Sequence, residues 1–466
     1  MTPDDVRAAA EQLVDFHERF APLFGKDQAQ DHAYDYIKGL MVCPERKSVE
    51  PIALWVGHGD VSGLQKFVGA APWAYDDVMA EAQSLFVDAL VPSAVDSSIG
   101  VVGVIDESAF AKKGTHSAGV ARQHNGRLGK QDNCQVGVFL VGVTPAGSAL
   151  LDHQLFLPEA WCAATPEAQA RRAKAHVPED VVFRTKPEIA AEMVRNAVVL
   201  GTVELDWIAT DEEYGRAGHF LDELELLERR YVVEVPVTTT IWTVDPATCV
   251  PESSGRGRVP TAPTREGVRT VVALAAELPA SAWQAIEVRA GAVGPLVFEF
   301  AAVRVWSMRH GKPGPPIWLL IRRALGAAPE LKYYVSNAGP ATPLTTMALV
   351  ACTRFRVEEY FESGKSYLGM SEYETRSYVG WHHHMTLVGL AHLFVTLTRL
   401  CLKKKIPELT LDRTVRLLEA AWEEPELRLP RAIALVEYHV RRNTVAKASH
   451  AKTWKARHEG IKYLRL

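Results

Sequence analysis

Three acidic residues occur in settings that suit metal-ion chemistry. Asp106 follows a short β-branched run, and Asp211 follows a second apolar run. Glu358 lies within the segment 353–365, whose pattern predicts a helix. Carboxylate oxygens are the ligands that Mg²⁺ and Mn²⁺ prefer, and two such ions about 3.5–4 Å apart can activate an attacking oxygen and stabilise a leaving one. These three residues are therefore candidates for two-metal phosphoryl transfer.

Two basic residues accompany Glu358 on the predicted helix. Arg354 lies four residues before Glu358 and Lys365 seven residues after it, so all three are expected on one helical face. An acid at the metal ions, with a cation one turn before it and another two turns after it, suits a phosphate backbone that lies across the helix. Glu359 is rotated away from this face, so Glu358 is the preferred ligand.

The segments around the two aspartates predict an α/β domain. Three strands, a helix, a strand, a helix and a final strand follow one another between residues 98 and 237. Thr185 begins the first of these helices, with capping-box spacing to Glu188. This is the element order of the ribonuclease-H-like fold, in which the first and fourth strands lie side by side. Asp106 and Asp211 end those two strands, so both carboxylates are expected at the same edge of the sheet.

Changes in pattern divide the chain into four predicted parts. A length of 466 residues is too long for one ordinary core. Residues 1–95 predict helices. A ribonuclease-H-like catalytic core comprises 96–237 and 346–400, a mostly β insertion occupies 238–345, and a helical region with a basic tail covers 401–466. The predicted fold class is therefore α/β, with helical regions on both flanks.

Neither the cysteines nor a run of histidines favours a zinc site. The six cysteines are far apart, and none belongs to a CxxC pair. His382, His383 and His384 are consecutive, and consecutive residues of a helix do not share a face. Unpaired cysteines fit a reducing cytoplasm.

The sequence predicts a protein of the cytoplasm rather than of a membrane. The N-terminus is acidic and amphipathic, unlike a secretory signal. The longest apolar stretch, 385–397, is too short to span a bilayer and predicts a buried helix.

A net charge of -4 restricts any nucleic-acid contact to clusters of basic residues. Between 112 and 130 the chain carries five basic residues and no acidic one. They are Lys112, Lys113, Arg122, Arg127 and Lys130. Because this segment adjoins the strand that carries Asp106, contact with a DNA backbone is favoured over a solvated loop. The basic C-terminal segment 441–466 is compatible with a DNA-binding tail and equally with a flexible, solubilising one.

Seven longer motifs resemble one known family in the same order along the chain. The motifs are ERKSVEPIA, LQKFVGAAPW, IDESAFAKKGTHSAGVARQHNGRLGKQDNCQVGVFL, LPEAW, ATDEEYG, TRFRVEEYFESGK and GMSEYETRSYVGWHHHMTL. They resemble the DDE transposases of bacterial insertion sequences, in the group with a Tyr-x2-Arg-x3-Glu-x6-Lys signature. Within that group they are most similar to the branch named after insertion sequence seven-zero-one.

The resemblance implies specific roles for the candidate residues. Asp106, Asp211 and Glu358 would bind two Mg²⁺ or Mn²⁺ ions, and Arg354 and Lys365 would hold DNA phosphates near the cut end. One departure from the signature is that alanine, at position 351, replaces its tyrosine. This departure weakens any expectation about a hairpin intermediate and leaves the metal-binding triad unaffected.

The resemblance also implies that residues 1–95 are a DNA-binding domain, and it implies partners and a location. The expected partners are double-stranded DNA, as terminal inverted repeats and as target, and a second subunit when two ends are held together. The expected location is the bacterial cytoplasm, in association with the nucleoid, with no membrane and no small-molecule substrate.

Two alternatives to a transposase stay open at the level of the sequence. One is a transposase-derived DNA-binding protein without catalysis, against which an intact set of carboxylates argues. The other is a ribonuclease-H-like nuclease that cuts DNA without strand transfer. Cleavage and joining assays distinguish all three.

Overall fold

The chain has a mixed α/β architecture that divides into two compact units. The computed structural model describes residues 1–56, 59–126, 129–251, 253, 261–291, 294–326, 329–423, 425–458 and 463–464. Unit 1 comprises Met1–Ser97, Ile105–Glu204 and Phe355–Asn443. Unit 2 comprises Ser98–Val104, Leu205–Arg354 and Thr444–Leu466.

Helices occupy the first part of the chain, the segments between strands, and the last part. In chain order they are α1 (Pro3–Phe24), α2 (Asp27–Val42), α3 (Val49–Trp55), α4 (Val61–Ala70), α5 (Tyr75–Ala89), α6 (Glu159–Cys162), α7 (Pro166–Lys174), α8 (Lys186–Leu200), α9 (Glu212–Gly215), α10 (Gly218–Leu226), α11 (Val271–Glu277), α12 (Leu344–Thr353), α13 (Phe355–Tyr367), α14 (Tyr378–Lys403), α15 (Leu411–Trp422) and α16 (Pro425–Arg457). Short 3₁₀ helices occur at Val91–Ala94, Pro246–Cys249 and Ala280–Ala282.

Strands occupy the middle of the chain and its C-terminal end. In chain order they are β1 (Val102–Ala111), β2 (Ala121–Asn125), β3 (Lys130–Val143), β4 (Ser148–Phe156), β5 (Trp207–Thr210), β6 (Arg230–Val235), β7 (Thr240–Trp242), β8 (Val268–Thr270), β9 (Gln284–Ala290), β10 (Pro295–Arg309), β11 (Lys312–Ala324), β12 (Leu331–Ser336) and β13 (Tyr463–Leu464).

The sheet of unit 1 is built on β3. This strand pairs antiparallel with β2 on one side and with β4 through the turn at Pro145–Gly147. β1 is also its neighbour, and the backbone N–H of Lys112 donates to the carbonyl oxygen of Asn133 at 2.9 Å. Every residue of β3 from Cys134 to Val143 is buried, as expected for a strand covered on both faces.

Helix α14 forms the centre of unit 1. Twenty of its 26 residues are buried, and it contacts β4 as well as the N-terminal helices α1, α2, α4 and α5. It is the one helix in the described part of the chain that is long and apolar enough to cross a membrane by length and composition, and 78% of its apolar window is buried inside the protein. The sequence-based prediction of a buried helix at 385–397 is therefore confirmed.

The sheet of unit 2 combines parallel and antiparallel strands. β5 and β6 run parallel, β6 pairs antiparallel with β12, and β12, β11, β10 and β9 follow as an antiparallel series. The short strand β7 joins β10 and β8. Helix α12 covers part of this sheet, in contact with β5, β6, β9 and β10. The long β10–β11 hairpin closes at His310 and Gly311, whose φ angles of 52° and 72° are those of a two-residue type I′ turn.

Strand β1 belongs to both units, because its first three residues lie in unit 2 and the others in unit 1. At its start, Asp206 N–H and Trp207 N–H donate to the carbonyl oxygen of Val101 at 2.9 and 3.3 Å. The carboxylate of Asp206 accepts from the N–H of Val101 at 2.8 Å. Gly100, at φ 62°, leaves room for this carboxylate, because a Cβ at that position would overlap it. The first and fourth predicted strands thus begin side by side within unit 2.

The predicted elements between 98 and 237 are all present, with some changes. β1 begins later than predicted and continues to Ala111, and β3 begins five residues before the predicted start at Gln135. The strand β2 was not predicted at all. The capping box of α8 is confirmed, since Glu188 N–H donates to Thr185 Oγ1 and Thr185 N–H donates to Glu188 Oε2.

Candidate active site

Asp106 lies in the middle of β1 and not at its end, which corrects the sequence-based prediction. The strand is fully buried up to Ile105, Asp106 and Glu107 are both half-buried, and burial then alternates from Ser108 to Phe110. The apolar run ends at Ile105, but the strand continues because alternate side chains still find partners. Asp106 Oδ1 accepts from the N–H of Glu107 at 2.7 Å, which fixes the orientation of the carboxylate.

The two faces of β1 carry different chemistry. Glu107 forms an ion pair with Lys186 of α8, at 2.5 Å between Oε1 and Nζ. Asp106 projects to the opposite face of the strand, as does Phe110 four residues later. On that face Lys365 of α13 donates to the carbonyl oxygen of Ala109 at 3.4 Å, and its Nζ lies 5.2 Å from the centroid of the Phe110 ring. Helix α13 therefore lies along the Asp106 face of β1.

Glu358 lies in the first turn of α13 and is exposed. A spacing of seven residues puts it on the same helical face as Lys365. Between them, the Phe361 ring contacts that of Phe139 on β3, with centroids 5.2 Å apart. Glu359 instead pairs with Arg356 at 2.7 Å. Within unit 1, Asp106 and Glu358 thus project from two elements in contact.

Arg354 does not share a helix with Glu358, which corrects a second prediction. α12 ends at Thr353 and α13 begins at Phe355, so Arg354 lies at the junction of two helices. It belongs to unit 2, where its Nε lies 3.9 Å from Glu234 Oε2 on β6. Glu358 and Lys365 therefore lie within one helix, and Arg354 lies at the junction before it.

Asp211 directly follows β5, as predicted, and caps the short helix α9. Its Oδ1 accepts from the N–H of Glu213 at 3.0 Å. Helices favour an acceptor at this position, because their first N–H groups have no partner within the helix. Asp211 belongs to unit 2, whereas Asp106 and Glu358 belong to unit 1.

The five basic residues expected to contact DNA differ in their settings. The segment is not a simple loop, because it contains β2 and reaches the start of β3 at Lys130. Lys113, Arg122 and Lys130 are exposed, whereas Arg127 lies outside the described residues. Lys112 is half-buried: its Nζ lies 3.4 Å from the centroid of the Tyr373 ring and donates to the carbonyl oxygen of Tyr373 at 3.2 Å. Burial, with Arg46 nearby, lowers the pKa of Lys112 to about 7.

The three consecutive histidines are buried core residues, and His383 and His384 contact different polar partners. His383 contacts the carbonyl oxygens of Val68 and Trp73 through its two ring nitrogens, both at 3.1 Å, and stacks on the Trp73 ring. His384 Nδ1 lies 2.9 Å from the hydroxyl of Tyr36. Burial lowers the pKa of His383 to about 4 and that of His384 to about 3.

The chemistry of the candidate residues fits Mg²⁺ or Mn²⁺. All three donors are carboxylates, which are hard oxygen ligands, and backbone N–H groups orient both aspartates. Among the described residues no group of three or more His, Cys, Asp or Glu side chains is arranged as a metal cage. Such a cage is not needed for Mg²⁺, which commonly binds through one or two carboxylates together with substrate phosphates and water.

Lys186 is a residue near the site that the sequence-based reasoning missed. The segment Thr185–Glu188 predicted only the start of a helix. The capping box involves Thr185 and Glu188, so it does not indicate what the side chain of Lys186 contacts. The structure shows that Lys186 holds Glu107 on the face of β1 away from Asp106. An ion pair between residues 79 positions apart has no local signal in the sequence.

Comparison with known proteins agrees with these local features. A family model described as DDE superfamily endonuclease matches residues 19–295, a range that includes Asp106 and Asp211 and ends before Glu358. A probable transposase for insertion sequence element IS701 from Microchaete diplosiphon is 28% identical over 205 residues. That alignment covers 44% of this chain and 48% of the relative, so the chain spans about half the length of the curated relative it matches. Because the family model covers more than half of its residues, the chain belongs to the DDE superfamily endonucleases.

Proposed function

We propose that the protein is a DNA transposase that cuts DNA and joins the resulting 3′-hydroxyl to target DNA. Asp106, Asp211 and Glu358 hold two divalent metal ions in this proposal. The observation that carries it is the contact of α13 with β1 in unit 1, through Lys365 and the Ala109–Phe110 segment. This contact supports the proposal because Glu358 and Asp106 project from the two elements it joins.

The proposal requires a ribonuclease-H-like core in which Asp106 and Asp211 lie on neighbouring strands. The order of β1, β3, β4, α8, β5, α10 and β6 supports it. The hydrogen bonds between Val101 and Asp206 also support it. Val101 precedes Asp106 by five positions, and Asp206 precedes Asp211 by five positions. Parallel strands would therefore place the two carboxylates at the same distance along the strand direction.

Each residue of the site has a distinct role in the proposed chemistry. The metal ions would supply charge neutralisation for the attacking and leaving oxygens. The three carboxylates orient the ions, and Lys365 holds a phosphate oxygen beside Glu358 in addition to its contact with β1. Arg354 holds a second phosphate from the junction of α12 and α13. Positioning and charge neutralisation, rather than a protein general base, account for catalysis.

The remaining parts of the chain are assigned to DNA recognition and assembly. We assign 1–95 to binding of the terminal inverted repeats, 96–237 and 346–400 to the catalytic core, 238–345 to the insertion, and 401–466 to a C-terminal helical region. Two subunits hold two transposon ends together, and the protein acts at the nucleoid in the bacterial cytoplasm. The family and the IS701 transposase relative support DNA as the substrate.

The decisive experiment is cleavage and joining of labelled DNA that carries the element's own ends, in Mg²⁺ and in Mn²⁺. We expect Glu358→Gln to lower cleavage by at least about 100-fold, because an amide does not replace a carboxylate at the metal ions. DNA binding measured without metal should change little, since the substitution removes no cation.

Glu277→Gln is the matched control, since Glu277 is an exposed glutamate at the end of α11. It should cut and join like the wild type. A wild-type protein that binds the ends and leaves them intact in both metals would instead be a transposase-derived DNA-binding protein. Cutting without joined products would identify a nuclease, and equal activity of Glu358→Gln would remove Glu358 from the site.

A further inference from the structure

Two of the motifs that resemble those of the insertion-sequence transposases contact each other within unit 1, and neither contributes a residue to the candidate active site. The motif ERKSVEPIA begins after α2, and GMSEYETRSYVGWHHHMTL begins two residues after the end of α13. Arg46 of the first motif donates to Glu374 of the second at 2.8 Å, and the backbone N–H of Lys47 donates to Glu372 Oε2 at 2.5 Å. The first motif therefore lies against the C-terminal end of the helix that carries Glu358.

The ammonium group of Lys47 binds the C-terminal ends of two helices. Its Nζ donates to the carbonyl oxygens of Leu40 and Met41, in the last turn of α2, at 2.9 and 3.3 Å. It also donates to the carbonyl oxygen of Tyr367, the last residue of α13, at 2.5 Å. The last carbonyl groups of a helix have no amide partner within it, and a lysine has three N–H donors. Three donors of one side chain thus meet three acceptors that need them.

The backbone that follows α13 passes close to Lys47. Gly369 has a φ of 67°, in the left-handed region that glycine adopts without strain. A Cβ at this position would lie 2.6 Å from the Cβ of Lys47, which is too close for any other residue type. The chain therefore leaves α13 directly beside Lys47.

The surroundings of Lys47 favour a positive charge there. The side chain is half-buried, and burial lowers its pKa, whereas the carboxylates of Glu419 and Glu372 favour its charged form. The carbonyl groups at a helix C-terminus add partial negative charge. An apolar side chain at position 47 would leave the three carbonyl groups without this donor.

The contact with Tyr367 determines where the rest of α13 lies. Lys365 is two residues before Tyr367, and its contact with Ala109 joins this end of the helix to β1. Glu358 is nine residues before Tyr367, about 13 Å along the helix axis. Because a helix moves as a rigid element, a shift or tilt at Tyr367 also displaces Glu358.

We propose that Lys47 is a positioning residue for the reaction, whose ammonium group fixes α13 so that Glu358 stays at the metal ions. This inference rests on the proposed function, because it requires Glu358 to be a metal ligand. Lys47 itself contacts neither the metal ions nor the DNA. A displacement of about 1 Å in an active site can lower a rate on the order of 100-fold. Lys47 therefore acts on the rate of cleavage and not on the affinity for DNA.

The test is single-turnover cleavage of labelled DNA that carries the element's own ends, with saturating protein and a series of Mg²⁺ concentrations. Lys47→Met should lower the cleavage rate constant by roughly 10- to 100-fold. It should also raise the Mg²⁺ concentration for half-maximal cleavage at least about threefold, because Mg²⁺ demands near-ideal ligand geometry. DNA affinity without metal should be unchanged. Lys47→Arg keeps the charge and the N–H donors, so it should recover most of the rate.

The variants separate positioning from folding. Lys47→Met keeps the backbone hydrogen bond to Glu372 and the ion pair between Arg46 and Glu374, so the two motifs should stay in contact. If Lys47→Met does not fold, Lys47→Gln carries the test, since its amide keeps two N–H donors and should show smaller changes in the same direction. Arg46→Met is the matched control, because it removes a cation from the adjacent position and breaks only an exposed pair. Its rate constant and Mg²⁺ dependence should equal those of the wild type.

Two results would overturn the role of Lys47 alone. One is a Lys47→Met variant that yields less active protein but keeps the wild-type rate constant and Mg²⁺ dependence, as for a merely structural lysine. The other is an equal loss of rate in Arg46→Met. A wild-type protein that does not cut its ends in any Mg²⁺ concentration would instead overturn the proposed function, and the positioning role with it.

Discussion

At the scale of single residues, Asp152 of β4 has a carboxyl group whose ionisation opposes folding. Its Oδ1 accepts from the N–H of His153 at 2.6 Å, but burial, with Asp76 nearby, raises its pKa to about 7. The folded chain therefore holds this proton more tightly than the unfolded chain between about pH 4 and pH 7. The contribution of Asp152 to the free energy of unfolding falls as the pH rises through this window.

Asp152→Asn tests this directly, because an amide has nearly the same shape and no charge. We expect the variant to gain stability relative to the wild type as the pH rises, with an excess on the order of 2 kcal/mol at pH 8. Urea denaturation at pH 5 and pH 8 measures the difference. Asp96→Asn, at an exposed position, is the control and should show no such change. A stability gain of Asp152→Asn that is equal at pH 5 and pH 8 would contradict the raised pKa of Asp152.

The sequence indicated where strands lie better than where each strand ends. Asp106 and Asp211 are candidates because each follows an apolar run, and Asp211 does directly follow its strand. Asp106 does not, because the partners that extend β1 are Lys186 and the aromatic cluster around Phe110, which are remote in the sequence.

At the scale of elements, an arginine joins α10 to two strands of unit 2. Arg309, the last residue of β10, is 7% exposed and donates to Asp222 and Glu225 of α10 at 2.6 Å. It also donates at 2.6 Å to the hydroxyl of Tyr231 on β6, which in turn donates to Glu225 at 2.9 Å. This network holds α10 in place although the helix is only nine residues long.

Arg309→Met should destabilise unit 2 by about 2–4 kcal/mol, because it leaves partly buried acceptors without their donor. Hydrogen exchange of the α10 amides and urea denaturation both report this loss. Arg46→Met breaks the ion pair between Arg46 and Glu374, whose side chains are 56% and 57% exposed. This substitution should lower the free energy of unfolding by less than about 1 kcal/mol. Unchanged exchange in α10 would show that apolar contacts hold the helix instead.

The elements that the sequence predicted are those with local signals. The capping box of α8 depends on residues three positions apart, so it can be recognised directly. β2 has the polar sequence Ala-Arg-Gln-His-Asn, and it exists because its backbone pairs with β3. The junction at Arg354 could not be predicted from the sequence either, because the φ and ψ angles of this residue, −49° and −36°, are still those of a helix.

At the scale of the whole molecule, a net charge of -4 means that DNA binding depends on local clusters. Lys113, Arg122 and Lys130 are exposed, whereas the ammonium of Lys112 contacts Tyr373. Replacing the three exposed residues by Gln should lower the slope of log K against log salt by up to about 3, because each phosphate contact contributes about 0.9. Fluorescence anisotropy between about 50 and 200 mM salt measures this slope.

Lys312→Gln is the matched control for this slope, since Lys312 is exposed at the β10–β11 turn and outside the basic segment. Its slope should equal that of the wild type. A triple variant that keeps the wild-type slope would show that phosphates are held elsewhere, and the basic segment would then be a solvated surface.

The C-terminal strand bears on the solubility of the protein. β13 adds to the outer edge of β9 in parallel, with Tyr463 opposite Ala285 and Leu464 opposite Ile286. It covers two residues of a seven-residue strand whose other side is already paired with β10. An uncovered strand edge is a template for the backbone of another molecule. A chain that ends before Tyr463 would expose the outer edge of β9. We expect such a chain to keep its fold and to aggregate in a concentration-dependent way.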